Sequence, residues 1–204
     1  MLRATKVRIY PTPEQAEFIN AQFGAVRFAY NKALHIKKHS YQRHRVNLNP
    51  RKDLKPLLAV AKKSRRYGWL KEYDSIALQQ AVINLDVAFS NFFNPKLKAG
   101  KPTFKSKHGR QSSYHCVGIK VLDGAIKIPK ILPIEARLHR EITGMLKSIT
   151  LSRSATGKYY ASLLCDDGME APAKPALISN ATAFFAPIAL CISQESGGII
   201  LSEV

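Results

Sequence analysis

The spacing of apolar and polar positions changes period twice along the chain. Leu2 to Tyr10 alternates residue by residue, with Val7 and Ile9 on one side and Lys6, Arg8 and Tyr10 on the other. That pattern predicts a half-buried strand whose open face is cationic. From Pro11 onward the period becomes helical. Thr12 is a good N-cap, Pro13 suits the first helical position, and Gln15 completes a capping box. Ile19, Phe23, Val26, Tyr30 and Ala33 follow at steps of three and four, as a core-facing stripe requires. Arg27 and Asn31 share another face of the same helix. The polar, basic run from His35 to Arg45 predicts that this helix frays there.

Asn49-Pro50 marks a second helix start, leading through Leu54, Leu57, Leu58 and Ala61 to the cluster Lys62-Lys63-Ser64-Arg65-Arg66. Asp74 or Ser75 caps a third helix with the stripe Leu78, Ala81 or Val82, Leu85, Phe89 and Phe92, and Asn94-Pro95 ends it. Beyond Ser113 the period drops to two. Ile119 and Val121 alternate about Lys120, Ile126 and Ile128 about Lys127, and Asp123-Gly124 sits between them as a hairpin turn. A second hairpin joins Ser148–Arg153 to Lys158–Cys165 through Ala155-Thr-Gly157, and the Leu138–Gly144 stretch between the hairpins reads as a polar loop. The expected class is α+β: a small antiparallel β-barrel of about five strands, interrupted by a helical bundle. The barrel takes residues 1–11 and 100–169, and the helical insert takes 12–99. Residues 170–204 are a linker and an irregular tail, apolar without clear periodicity.

Charge changes this picture from a fold into a partner. Residues 1–160 carry 31 Lys or Arg against 9 Asp or Glu, whereas residues 161–204 carry one Lys against five acids. Such a surplus repels itself unless a polyanion neutralises it, and nucleic acid is the obvious one. The densest stretch runs from Lys96 to Cys116. It holds Lys96, Lys98, Lys101, Lys105, Lys107 and Arg110, no acid, and Phe104 and Tyr114 among the cations. Cations neutralise phosphates and aromatic faces stack on bases. A plain solvated basic loop is the alternative.

Within that stretch Lys105 and Lys107 suit phosphates and Ser106 a phosphate oxygen. In an extended segment Phe104 points opposite to Lys105, which favours anchoring the loop over stacking.

Chemistry beyond binding is hard to find in this composition. The acids occupy capping and turn positions, and Asp166-Asp167-Gly168 reads as a turn. His35, His39, His44, His108, His115 and His139 sit among cations, where they suit phosphate better than a metal. Cys116, Cys165 and Cys191 form no C-x-x-C pair and no disulfide framework, which points to a reducing, cytoplasmic setting. No catalytic set, metal site or cofactor is expected. No apolar run is long enough to span a membrane, and the N-terminus shows no signal-peptide pattern.

Several motifs together resemble the N-terminal half of TnpB (OrfB) proteins, transposon-encoded relatives of type V CRISPR effectors. They are Arg3-Ala4, Arg8-Ile-Tyr-Pro-Thr-Pro-Glu-Gln15, Arg27-Phe-Ala-Tyr-Asn-Lys-Ala-Leu34, Trp69-Leu-Lys71, Ser75, Leu78-Gln-Gln-Ala81 and Phe92-Phe93. Phe104-Lys-Ser-Lys107, Arg110-Gln-Ser112, His139-Arg140, Lys147-Ser-Ile-Thr150 and Gly157-Lys-Tyr-Tyr160 continue the series in order. The resemblance covers residues 1 to 165 and implies a wedge-like barrel interrupted by a recognition insert. It implies binding of a guide RNA and of double-stranded DNA beside its target, with Ser75 and Gln79 offered to that DNA. Lys6, Arg8, Arg27, Asn31, Phe104, Lys105, Ser106, Lys107, Arg110, His139 and Arg140 complete the expected nucleic-acid-binding set.

In that family a RuvC-like nuclease follows, opening on a strand that ends in a catalytic Asp. Beyond Asp167 this sequence has no Asp, and Cys191 is its one remaining cysteine. The expectation is therefore a binding module truncated before its nuclease. An inert relic, or a metal-dependent nuclease acting alone, are the other readings.

Overall fold

The opening alternation forms strand β1 (Leu2–Tyr10), and Val7 and Ile9 point into the core at 2% exposure each. The computed structural model describes residues 1–108, 111–139, 142 and 144–170, which lie within one compact unit, Met1–Glu170. The expected tail from Ala171 on, and Arg110 and Arg140, lie outside the described residues.

Helix α1 (Pro13–His44) starts as its sequence dictates. The Gln15 N–H donates to Thr12 Oγ1 at 3.3 Å, and Thr12 N–H donates back to Gln15 Oε1 at 3.0 Å. The helix does not fray at His35. It runs unbroken to His44 and closes on Arg45 in the left-handed region, φ 57°. Lys37 explains the continuity: it is 9% exposed, its Nζ donates to Asn47 Oδ1 at 2.6 Å and to the Leu48 carbonyl, and it lies 4.8 Å from the Phe89 ring centroid. A polar-looking segment is thus held by tertiary partners rather than by an apolar stripe.

A single π-helical turn, Pro50–Leu54, leads into α2 (Lys55–Lys63), and a short 3-10 turn, Gly68–Lys71, precedes α3 (Ser75–Phe93). Asp74 caps α3 by accepting from the Ile76 N–H at 2.9 Å, while its own N–H donates to Gln22 Oε1 of α1 at 3.0 Å. Ile19, Leu34, Leu78 and Leu85 are fully buried where α1 and α3 pack.

The three helices come between β1 and the remaining strands: β2 (Gln111–Cys116), β3 (Lys120–Leu122), β4 (Ala125–Lys127), β5 (Ile134–Arg137), β6 (Met145–Ser154) and β7 (Tyr159–Asp166). All pair antiparallel in the order β2-β6-β7-β1-β5-β4-β3, so the chain is α+β. Among the described residues this seven-stranded sheet has two edges, β2 and β3, which are not paired with each other, and so it is not the closed barrel expected. β3 is three residues long, and β2 is covered by α1 and α3; both are ordinary ways to protect an edge without closure. β2 and β5 add to the five strands anticipated. β5 is too short, at four residues, for its alternation to stand out.

Register places Val7, Ile9, Ala161, Leu163, Ile149, Leu151, Tyr114, Ala136 and Ile134 on one face, where the core forms. α1 meets this face, with Phe23 edge-on to Tyr114 at 5.5 Å and Asn20 accepting from the Tyr159 hydroxyl at 3.0 Å.

Gly144 sits at φ 92°, and a Cβ there would collide with the Asp166 backbone on β7. Changing Gly144 to Ala combines a left-handed strain with that collision. Its expected cost is about 1–3 kcal/mol in a denaturant melt. A loss below about 0.5 kcal/mol would show that β6 and β7 do not need the close approach.

Candidate nucleic-acid interface

The face of the sheet opposite the core is polar and cationic. Pairing puts Lys6, Ser162, Thr150 and His115 in one row across β1, β7, β6 and β2, and Arg8, Tyr160, Ser152 and Ser113 in the next. Neighbouring strands are about 4.8 Å apart, so the first row spans about 14 Å. Lys6 Nζ lies 4.6 Å from the Tyr160 ring centroid, and the Arg8 guanidinium lies 5.6 Å from the same ring and 5.3 Å from Tyr10. Arg8 Nε is buried and has no hydrogen-bond partner among the described residues. It is a donor held in place by aromatic rings with no acceptor.

At β2 this face runs into a polar cleft of about 220 Å³ between the sheet edge and α3, lined by Gln80, Asn84, Lys105, Ser113, His115 and Thr150 among others. Burial lowers the pKa of His115, with Asp74 opposing, so the ring is neutral at pH 7 and serves as a hydrogen-bonding group rather than a cation.

The basic segment enters this cleft because Asn31 holds it there. The Lys105 N–H donates to Asn31 Oδ1 at 2.8 Å, and Asn31 Nδ2 donates to the Lys105 carbonyl at 3.0 Å. One side-chain amide thereby imitates a strand neighbour. Asn31 is a positioning residue, with both ends of its amide engaged. Arg27, one turn earlier on α1, reaches Ser112 Oγ at 3.5 Å. Lys105 is exposed as a residue, but its ammonium lies 4.3 Å from the Tyr30 ring centroid, and desolvation lowers its pKa. Ser106 Oγ accepts from the His108 N–H at 3.2 Å, which turns the chain, and Lys107 is exposed.

Phe104 does not anchor the segment. It is 53% exposed, with Lys38 Nζ 4.8 Å from its ring centroid, while Pro102 is buried and the Asn31 clasp fixes the backbone. With the anchor supplied by these two, the ring is left outward.

Ser75 and Gln79 come together elsewhere, as their spacing on α3 requires. They line an open cleft of about 440 Å³ against α2 with Arg51, Lys55 and Lys62. Lys62 Nζ donates to Ser75 Oγ at 2.6 Å. Its pKa is lowered by burial and by Lys130, with Asp74 opposing. His139 stands apart on a third surface, a groove of about 760 Å³ beside β3 lined by Ile119, Val121, Leu138 and Leu146.

Sequence reasoning missed Gln80, Asn84 and Thr150, and it noted His115 only as one of six histidines suited to phosphate. His115 and Thr150 were legible as polar members of alternating strands, whereas Gln80 and Asn84 mattered only once α3 met the β2 edge.

Several acids are engaged in structure. Asp74 caps α3, Asp86 pairs with Arg51 at 3.5 Å, and Asp167 pairs with Arg3 at 2.6 Å and the Met1 ammonium at 2.7 Å. These partners hold Asp167 below the usual carboxylate range, the amino terminus contributing most. Among the described residues no three His, Cys, Asp or Glu converge as metal ligands. Burial pushes the Cys116 thiol up to about 12, which removes it as a nucleophile.

Residues 1–45 match a helix-turn-helix domain model of OrfB proteins from IS605 elements. In this chain those residues form β1 and the unbroken helix α1, so the match is one of sequence rather than of two helices about a turn. Virulence protein VsdF of Salmonella dublin is 78% identical over 116 residues, which cover 54% of this chain and 98% of VsdF. A protein of Streptomyces pristinaespiralis named "Putative RNA-guided DNA endonuclease" is 32% identical over 182 residues, 86% of this chain and 44% of that protein. "Putative RNA-guided DNA endonuclease InsQ" of Escherichia coli K12 is 28% identical over 176 residues, 85% of this chain and 43% of InsQ. The chain thus spans less than half the length of these two relatives. With an OrfB-type N-terminus and similarity to both RNA-guided endonucleases over most of its described length, the chain belongs to the TnpB (OrfB) family of transposon-encoded proteins.

Proposed function

We propose that this chain is a nucleic-acid-binding module that holds a guide RNA and touches double-stranded DNA beside the target, without cleaving either. One observation carries the reading. The row that starts at Lys6 on β1 ends at Thr150 and His115, and these two line one polar cleft together with Lys105. Among the described residues the side-chain ion pairs use Arg3, Arg51 and Lys147, none of which lies on that path. Lys6, Arg8, Lys105 and Lys107 supply its positive charge, and Tyr160 and Tyr10 supply flat rings beside it. Arg110, next in sequence to β2, is part of the same proposal, and Arg140 belongs with His139 to the third surface as a further proposed contact.

The DNA contact belongs to the α2–α3 cleft. Ser75 and Gln79 face the same opening as Arg51, Lys55 and Lys62, so a duplex could meet phosphate-binding cations and a base-reading amide together. The names of the two endonuclease relatives support RNA and DNA as the partners. A cytoplasmic location fits them.

Titration of fluorescent single-stranded RNA tests the first part, and a chain with no salt-dependent affinity overturns it. For the second part, Gln79→Ala is expected to relax sequence preference among short duplexes by about 1–3 kcal/mol while RNA affinity holds. Equal loss for every duplex would assign Gln79 to phosphate contact and remove the base-reading role.

A further inference from the structure

The ends of α1 and α3 enclose a cleft that the functional reading leaves unused. It measures about 580 Å³ and is lined by Lys38, Tyr41, Phe89, Phe92, Phe93 and Lys101, among others, with no acid. That size falls within the ~300–1,000 Å³ usual for ligand sites. Its rings are exposed for a reason local to α3. The helix stops at Asn94-Pro95, so Phe93 occupies the last helical position with no further turn to cover it, and it is 68% exposed. Phe92 lies 5.0 Å from it at 61° and Phe89 6.3 Å at 21°, while Tyr41 on α1 is 52% exposed.

We infer that this cleft takes an unpaired nucleobase of a single-stranded RNA segment, stacked on Phe93 and Tyr41, with Lys38 and Lys101 on the flanking phosphates. The inference rests on the nucleic-acid-binding reading and extends it to a site of its own. Three features favour a base over an apolar protein side chain. The cleft mixes rings with cations and has no acid. Lys101 begins the segment that carries Phe104 and Lys105 into the polar cleft at β2. Lys38 already lies 4.8 Å from Phe104, so the exposed rings of Phe104 and the cleft flank one cation. A strand followed along Lys105 and Lys107 therefore reaches this cleft within a few nucleotides. Aromatic stacking suits such a strand because every base presents a π-face, whereas the bases of a duplex are already stacked on each other.

The test uses the full chain and a single-stranded RNA carrying 2-aminopurine at its centre, with an RNA duplex as control. Wild-type protein is expected to quench the 2-aminopurine on binding. Phe93→Ala should abolish the quench and weaken single-strand binding by about tenfold or more, with the salt slope and duplex affinity unchanged. Phe93→Tyr should keep both quench and affinity and Phe93→Leu should lose them, whereas a role for apolar bulk alone would leave Phe93→Leu as good as Phe93→Tyr and would overturn the inference. Unchanged single-strand affinity in Phe93→Ala, or equal loss for the duplex, overturns the inference. Silence toward RNA combined with altered self-association in sedimentation would assign the cleft to a protein contact and likewise overturn it. Wild-type protein that binds no RNA removes the parent reading, whereas salt-dependent RNA binding with a silent Phe93→Ala removes this site alone.

Discussion

Raising the salt from 50 to 200 mM is expected to weaken RNA binding by about 10³–10⁵-fold. A chain with 32 Lys or Arg against 14 Asp or Glu can meet a polyanion only by displacing its condensed cations. Six to ten phosphate contacts then give a drop of that size. The proposed interface assigns four of them to Lys6, Arg8, Lys105 and Lys107. Replacing Lys105 and Lys107 together by Ala should reduce the magnitude of the salt slope by about two. The melting temperature should barely move, because the Asn31 clasp grips the backbone at Lys105 and is indifferent to its side chain. A double variant with an unchanged slope would mean that the segment is a solvated loop. A large fall in melting temperature would mean that the ammonium over Tyr30 supports the fold instead.

Leu85→Ala is expected to cost about 2–5 kcal/mol of stability, measured by denaturant unfolding. Leu85 has no exposed surface and lies on the face of α3 that carries Leu78, Ala81 and Val82 into the bundle. Truncation leaves a cavity between elements already fixed by the Asp74–Gln22 hydrogen bond and by Lys37, so little collapse can fill it. Val87→Ala, two residues on and 45% exposed, should cost under about 0.5 kcal/mol. If the two variants lose the same amount, the packing of α3 is not what holds the helices together. RNA affinity of the folded fraction should keep its salt slope in both, since neither residue carries charge or lines the cleft that holds Lys105.

The two largest differences between expectation and structure share a cause. The His35–Arg45 run has no apolar stripe, so its composition predicts fraying, yet Lys37 is held by Asn47 and Leu48 across a turn and by Phe89 of α3. Phe104 was placed inward by strand alternation, yet its segment is not a strand and takes its geometry from Asn31 on α1. In both cases a partner distant in sequence decided the conformation. The pairing of Ser75 with Gln79 went the other way: two residues four apart on one capped helix share a face wherever that helix packs.

The sequence by itself determined what is local and periodic. The capping box at Thr12, the Asp74 cap, the Asp123-Gly124 turn and the alternation of Val7 and Ile9 with Lys6 and Arg8 each depend on residues within one or two turns, where backbone geometry and side-chain period leave few choices. Net charge needs no geometry at all, and the family motifs are legible in order. Only the tertiary structure decided that the sheet is open at β2 and β3 and that β2 meets α3. It likewise decided that Asn31 carries Lys105 into the cleft bordered by His115 and Thr150. Those contacts join residues as far as 74 positions apart, and they follow from how buried faces pack rather than from any pattern within an element.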